Sequence, residues 1–509
     1  MNKENLSDAI GLVDDDLIEE ALAHRARHPH RWKGVVAMVA CLCVVAGCLL
    51  ALPFLPGRGT IGPPLSYGEV EPSWGTTTQA GQDEPDETVQ KIFLTAEPTL
   101  PAMAQRPAEY EETAHAAWWD SVKAQRDQIK GYTEGMTDFY SRTMQTFLAG
   151  EPGENRVYSP LNLYLALSML AETANGNSRT QLLDLLGESD LTALRKKNSG
   201  LWNGVYLDDG AVTSRLANSL WLAEGDRWSY RKDTVEVLAK KYYASVFEGV
   251  MGDALYSKAL QDWLNKQTNG LLEEQAGNLK FDPDTVLALA STICFQAKWT
   301  DEFSTHATQK GWFHTSYGKD VHCDFMRRGN MTFAYFGDKF TAVRLGLDDG
   351  AYAMTIFLPD EGTAVDSLLG VKNAQVLEIL QKPDRSELGK YMQVEMSIPK
   401  FDVVSDRDLK DGLRALGVTE VFDAEKGDFT GILSPQTEPV YVSQVQHAAR
   451  VAIDEEGVTA VAYTVEIMNG AGAASDILEF TVDRPFMFAI TGPGDTILFT
   501  GIVETPTEA

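Results

Sequence analysis

Two short patterns in this 509-residue chain have the residue types of catalysis or ligation. Ser229 and Lys232, in "SYRK", show the S-x-x-K spacing in which a lysine can activate a serine nucleophile. Nothing resembling the K-T-G or S-D-N companions follows, so the match reads as chance. His306, His314 and His322 recur in "THATQKGWFHTSYGKDVHCD" with Cys323 adjoining, a set that could offer nitrogen and sulfur to a metal. The preferred reading is polar positions along strands and turns. Arg195–Lys197, "RKK", is a small basic cluster read as a solvated helix face. Neither a G-x-S-x-G elbow nor an H-E-x-x-H pair occurs. With no catalytic constellation, the chain is not expected to be an enzyme, and no cofactor or metal is expected.

The composition bounds the partners. Hydrophobic residues make up 44% of the chain and aromatics 9%, enough for a large core. The net charge of -29 argues against nucleic acid, whose phosphates call for a basic footprint. Neither an internal repeat nor a zinc-like Cys/His spacing is found. Of five cysteines, Cys41, Cys43 and Cys48 fall in one apolar run, while Cys294 and Cys323 fall in strand-like segments. Two remaining cysteines make no disulfide framework and read as buried free thiols.

That apolar run, residues 34–55, is uncharged and long enough to cross a bilayer, which takes about 20 residues. "HRARHPHRWK" precedes it, and positive charge of this kind stays on the cytoplasmic side. The expected order is a cytoplasmic tail over 1–33, a transmembrane anchor over 34–55, a Pro/Gly/Thr-rich stalk and linking helix over 56–130, and an outer domain over 131–509. Within the third part, residues 56 to about 107 read as stalk. The alternative is "VAGC", a bacterial lipoprotein-like box in which Cys48 would carry lipid. Either way the product is held at a membrane, with the outer domain extracellular.

From about Thr133 onward helix and strand signals interleave without regular βαβ alternation. "MTDFYSRTMQTFLAG" and "PLNLYLALSMLAETA" have helical spacing, while "VLALASTICFQAKW", "YAMTIFLPD", "MQVEMSIPKFDVV", "VYVSQVQHAARVAI", "LEFTVDRPFMFAI" and "TILFTGIV" read as strands. Long apolar strands imply sheets covered by helices, an α+β domain. "IDEEGVTAVAYTVEIMNGAGAAS", Ile453–Ser475, joins a strand-competent half to a Gly-rich tip suited to bending.

The order of these segments resembles the serpin family. "NRVYSPLNLYLALSMLAETANGNSRTQLLDLLG", "LANSLWL", "WLNKQTNG", "CFQAKWTDEF", "AMTIFLPDEG", "IPKFDVVSDRDLKDGLRALGVTEVFD", "DFTGI", "VYVSQVQHAARVAIDEEGVTAVAYT" and "DRPFMFAI" stand in the family's order from about Thr133 to Val503. The resemblance implies three β-sheets, about eight or nine helices and an exposed reactive-centre loop. It also implies inhibition of a serine protease by a suicide-substrate mechanism. The protease cuts the loop, an acyl-ester forms, and the cut loop enters the main sheet as an extra strand.

On this resemblance Glu455, Glu456, Gly457, Val458, Thr459, Ala460, Val461 and Ala462 form the loop's hinge. Val458, Ala460, Ala462 and Thr464 share one strand face, and Thr459, Val461 and Tyr463 the other. No Pro lies between Ile453 and Ser475, so a full ladder is allowed. Val458 departs from the usual Thr or Ser, and Glu466 falls on the inward face, where an unpaired carboxylate is costly. The shutter beneath the main sheet corresponds to Ser159, Asn162, Ser291 and His447. Relative to the family pattern one Ser has become Asn162 and the Asn has become Ser291, a compensated exchange. Trp299, Lys400 and Glu455 correspond to the breach where insertion starts.

Counting from Gly457 puts the reactive bond at Ala471–Gly472; counting back from "RPF" puts it at Ala474–Ser475, with Met468 a further candidate. Small residues at the bond suit an elastase-like or subtilisin-like target. A monomer is expected. The alternative function is a non-inhibitory serpin-fold binding protein, for which stalled insertion at Glu466 would be the mark.

Overall fold

A computed structural model describes residues 92–108, 111–225, 227–348, 350–370, 373–458 and 477–506. The chain divides into Met1–Pro85 and Asp86–Ala509, and every described residue belongs to the second unit. The expected tail, anchor and most of the stalk lie outside the described residues. So do hinge residues Thr459, Ala460, Val461 and Ala462, together with Met468, Ala471, Gly472, Ala474 and Ser475. Among the described residues no helix is long and apolar enough to cross a membrane.

Ten α-helices are present among the described residues. They are α1 (Glu112–Arg126), α2 (Thr137–Phe147), α3 (Pro160–Thr173), α4 (Gly176–Leu186), α5 (Leu191–Val205), α6 (Lys232–Lys241), α7 (Ala254–Gln267), α8 (Glu273–Gly277), α9 (Asn373–Gln381) and α10 (Lys410–Ala415). The strands up to residue 359 are β1 (Phe93–Ala96), β2 (Arg156–Tyr158), β3 (Leu207–Asp208), β4 (Thr213–Ala223), β5 (Ala244–Gly249), β6 (Leu287–Lys298), β7 (Gln309–Phe313), β8 (Val321–Gly337), β9 (Phe340–Leu347) and β10 (Tyr352–Pro359). The rest are β11 (Gly389–Pro399), β12 (Phe401–Asp408), β13 (Gln446–Ile453), β14 (Gly457–Val458), β15 (Ile477–Thr481), β16 (Phe486–Gly492) and β17 (Thr496–Val503).

An eight-stranded sheet runs β1-β5-β4-β6-β14-β13-β12, with β3 beside β4. A nine-stranded sheet runs β15-β11-β8-β9-β10-β16-β17-β2, with β7 beside β8. Three sheets were implied, and hydrogen bonding fuses two of them. The long β8 pairs with β7 at its start, with β11 from Phe325 to Tyr335 and with β9 at its end.

The core follows from sequence. α3 is apolar almost all round, and thirteen of its fourteen residues are buried, so it serves as the central helix beneath the eight-stranded sheet. Pro160 at its first turn and Ser159 as its cap fix where it starts. The sheet's other face is covered by α7, through Trp221 of β4, which meets Tyr256 edge to face and packs near Phe281. β10, β16 and β17 are buried along their whole length, as their unbroken apolar runs require.

One part of the expected stalk is instead built into the domain. Residues 93–96 form an edge strand paired with β5, and Met103 and Ala104 pack against the main core. The linking helix is α1, with Trp118 and Val122 buried.

Candidate functional site

At one end of the eight-stranded sheet the chain turns back on itself after β13. Asp454 makes the turn: its Oδ1 accepts from the backbone N–H of Glu456 (2.9 Å) and of Gly457 (3.1 Å). This is an Asx turn, a side chain standing in for a backbone carbonyl. Gly457 and Val458 then enter the sheet as β14, opposite Lys298 and Ala297 of β6 on one side, with Val458 opposite Ile453 of β13 on the other. β6 and β13 are therefore held apart by a third strand, about 9.5 Å between their axes. Val458 is 2% exposed and packs into the main core, so a branched apolar side chain suits the position usually given to Thr or Ser. A Cβ on Gly457 would lie 2.3 Å from the carbonyl oxygen of Ala297 and 2.7 Å from Lys298 Cα. Only glycine fits this approach.

The turn is anchored from several sides. Trp299 donates its indole N–H to the Asp454 carbonyl (2.8 Å) and its backbone N–H to the Glu456 carbonyl (3.0 Å). Glu455 points the other way. Its carboxylate takes an ion pair from Lys400 Nζ at 2.9 Å and a hydrogen bond from Thr308 Oγ1 at 2.7 Å. Burial alone would raise its pKa, but the Thr308 hydroxyl and Lys400 ammonium outweigh this and hold it below the usual carboxylate range. The structure brings Trp299, Lys400 and Glu455 together, with Thr308 and Phe303 as further contacts; the Phe303 N–H donates to the Glu455 carbonyl (2.9 Å).

Farther down, the two parted strands are fastened to α3. Asn162 and Ser291 bond reciprocally: Asn162 Nδ2 donates to the Ser291 carbonyl (3.0 Å), and Ser291 Oγ donates to Asn162 Oδ1 (2.5 Å). On the β13 side, the Ser159 N–H donates to His447 Nε2 (3.1 Å), and Ser159 Oγ donates to the Leu498 carbonyl (2.5 Å). His447 is buried, which pushes its imidazole down to about 4 and keeps it a neutral acceptor. Among the described residues β6 and β13 share no direct ladder; each pairs with β14 on that side. A cavity of about 20 Å³ between them is lined by Ser159, Asn162, Ile293, Phe295, Ala449 and neighbours. Below β14 the facing edges of β6 and β13 are of the kind to which a strand can add, once they part further.

The comparisons with known proteins agree with this geometry. Residues 134–506 match the family described as Serpin (serine protease inhibitor). The chain belongs to the serpin family. It is 30% identical to rice Serpin-ZXA over 376 residues, spanning 70% of this chain and 92% of that protein. Mouse Serpin B11 is 28% identical over 392 residues, 74% of this chain and 99% of that protein. Among solved structures, the thermophilic serpin tengpin in its native state superposes with a TM-score of 0.66 at 24% identity, covering 74% of this chain and 94% of its own. The family is one of serine protease inhibitors, and a serpin is not an enzyme.

The other sequence candidates have structural roles. Lys232 opens α6, and the Ser229 carbonyl accepts from the Ser434 N–H. His314 pairs with Asp320 (3.1 Å), and the His322 ring lies near Trp312. Among the described residues no group of three or more metal-type ligands forms. The reading of Arg195–Lys197 as a solvated face is corrected. Arg195 is bidentate on buried Glu172, and Lys197 pairs with Glu188 at 2.9 Å with both side chains largely covered. Cys294 and Cys323 are free and buried, and burial lifts the Cys294 thiol to about 11. In this serpin the residues missed from sequence are Asp454 and Thr308. The D-x-x-G spacing of an Asx turn was available for Asp454. Thr308 is 147 residues from its partner Glu455 and carries no local signal.

Proposed function

We propose that this serpin inhibits a serine protease as a suicide substrate, by loop cleavage, acyl-enzyme formation and strand insertion. The single observation that carries the reading is β14, the first two loop residues already paired between β6 and β13. Extending that register gives a definite inserted strand. Ala460 would lie opposite Phe295 and Val451, Ala462 opposite Ile293 and Ala449, and Thr464 opposite Ser291 and His447. Small residues would thus meet the core, and the one inward hydroxyl would meet the polar shutter pair. Tyr463 would face outward opposite Thr292 and Ala448.

Cleavage at Ala471–Gly472 or at Ala474–Ser475 supports an elastase-like or subtilisin-like target, because small side chains fill a shallow specificity pocket. The apolar run at 34–55 and the basic stretch before it support a single-pass anchor with the inhibitor outside the cell. The Cys48 lipoprotein box is the alternative, and it is also what supports a bacterial source. The second reading, a non-inhibitory binding protein, is favoured by Glu466. The same register sets it opposite Leu289 and Val445, both packed against the main core, where a bare carboxylate would stall insertion.

Mixing the full-length protein with an elastase or a subtilisin tests the choice. Inhibition gives a covalent complex that survives boiling in detergent, and mass spectrometry of the released peptide fixes the bond. Full cleavage without complex and without a gain in heat resistance would leave the binding-protein reading standing.

A further inference from the structure

Arg106 lies N-terminal to the residues matched to the family, yet it makes one of the most heavily bonded contacts of the domain. Its guanidinium is bidentate on Asp348, Nη1 to Oδ1 at 2.6 Å and Nη2 to Oδ2 at 2.5 Å, and Nη2 also reaches Asp209 Oδ2 at 3.5 Å. It rests 4.5 Å above the ring of buried Trp118 from α1. Its backbone N–H donates to the Asp209 carbonyl (2.8 Å), and the neighbouring Gln105 Nε2 donates to the Asp208 carbonyl (3.0 Å). The Asp209 carboxylate is fully covered and the Asp348 carboxylate nearly so.

The two carboxylates belong to different sheets. Asp209 sits in the turn between β3 and β4, where its Oδ1 accepts from the N–H groups of Ala211 (3.0 Å) and Val212 (2.9 Å). Asp348 follows β9 of the nine-stranded sheet, and its backbone also holds the exit of β6. Its N–H donates to the Lys298 carbonyl (2.7 Å), and its carbonyl accepts from Thr300 Oγ1 (2.8 Å). Lys298 is the residue opposite Gly457. Earlier in the same segment β1 closes the free edge of β5. Residues 93–106 thus run from the sheet's outer edge to the place where β14 enters.

We propose that this segment is a strap and Arg106 its latch, a device that slows opening of the eight-stranded sheet. To accept a full strand, β6 with β4, β5, β3 and β1 must shift away from β13 and β12. That half carries Asp209, while Asp348 continues from β9 and is joined to the exit of β6 by its backbone bond to Lys298 and the bond from Thr300 Oγ1, so opening at this end must part these bonds together with the Arg106 fork. Displacing one against the other pulls the planar guanidinium off one of two covered carboxylates, a costly separation of charge. Anything that lifts residues 97–106, including tension on the chain upstream, would remove this brake.

The inference rests on the reading that the loop inserts. Full-length protein is compared with Arg106→Ala, Arg106→Lys and Asp348→Asn; asparagine tolerates the positive φ of +52° at position 348. Spontaneous insertion of the uncut loop is followed at raised temperature as gain of heat resistance. Wild-type protein cut with elastase supplies the inserted reference. The expected result is insertion about tenfold faster for Arg106→Ala, with Arg106→Lys in between because a lysine cannot hold two carboxylates through a planar fork. The Arg106→Ala/Asp348→Asn double variant should be no faster than the quicker single one. Wild-type rates in the variants, or effects that multiply in the double, would overturn the latch alone. A wild-type protein that gains no heat resistance after the cut would overturn the insertion reading as well.

Discussion

The two ends of the parted strands are held in different ways. Near Trp299, β6 and β13 are bridged by backbone: β14 pairs with both, and the Asp454 turn closes the connection. Around Ser291 and His447 the fastening is by side chains, and it runs downward to α3. Backbone pairing at the first end extends one residue at a time at little cost, since each new N–H and C=O meets a partner. Side-chain fastening at the second end must be exchanged as a strand arrives, and its strength decides how readily the lower sheet opens. On the proposed mechanism this difference would give insertion a direction, from the turn toward the shutter.

The largest effect should come from spoiling the backbone end. Gly457→Ala places a methyl group 2.3 Å from the Ala297 carbonyl oxygen and 2.7 Å from Lys298 Cα, and because both are backbone of β6 there is no flexible side chain to give way. β14 should leave the sheet and insertion should begin late. In a titration against elastase the variant should be cut like a substrate and yield little covalent complex, while the untouched shutter keeps the native fold's heat stability close to that of the parent. Full complex formation by the variant would remove the privileged role of the turn.

The shutter end carries a pH signature that the turn does not share. His447 titrates at about 4 in the folded protein and near 6.5 when unfolded, so the unfolded chain binds more protons between these values. Stability from this group is complete above about pH 6.5 and drains away as pH falls toward 4, by at most about 3 kcal/mol. Glu455 at the other end has a lowered pKa, so its contribution is also lost on acidification, but only as pH falls below the ordinary carboxylate range. Chemical denaturation from pH 7.5 to 4.5 should therefore show a fall in wild-type stability that His447→Gln flattens. Parallel curves would mean that the imidazole does not report on the shutter.

How much of this could be read in the sequence depended on how local each signal was. α3 declared itself through an apolar run with Ser-Pro at its start, and β10, β16 and β17 through unbroken β-favouring stretches. Of the expected hinge, Val458 falls on the inward face where the alternation of side chains set it, and residues 459–462 lie outside the described residues. β1 was not legible. It is four residues long with Phe93 and Leu94 about half exposed, and its partner β5 lies some 150 residues away. Set in a Pro-rich stretch, such a strand has the composition of a linker, and only the edge of β5 makes it a strand. Arg106 and Asp348 are 242 residues apart, a pairing no local pattern encodes.

The smallest effect belongs to the pair that replaces the family's usual arrangement at the shutter. Asn162 and Ser291 exchange two hydrogen bonds, the amide on the helix supplying the bulk and the hydroxyl on the strand leaving room for it. Ser291→Asn puts two amides into space shaped for one, and crowding with a polar group left unpaired should cost about 1–3 kcal/mol. Asn162→Ser alone leaves the Ser291 hydroxyl without its acceptor. The double variant restores one amide and one hydroxyl with their positions reversed, so it should recover much of either loss, with a coupling of at least about 0.5 kcal/mol in a double-mutant cycle. Additive losses would mean that the two residues fasten β6 to α3 independently. The side-chain end would then open in two separate steps, with the Ser159–His447 contact a third. A large coupling makes Asn162 and Ser291 a single catch, which on the proposed insertion Thr464 would have to release at once, whereas β14 would lengthen residue by residue.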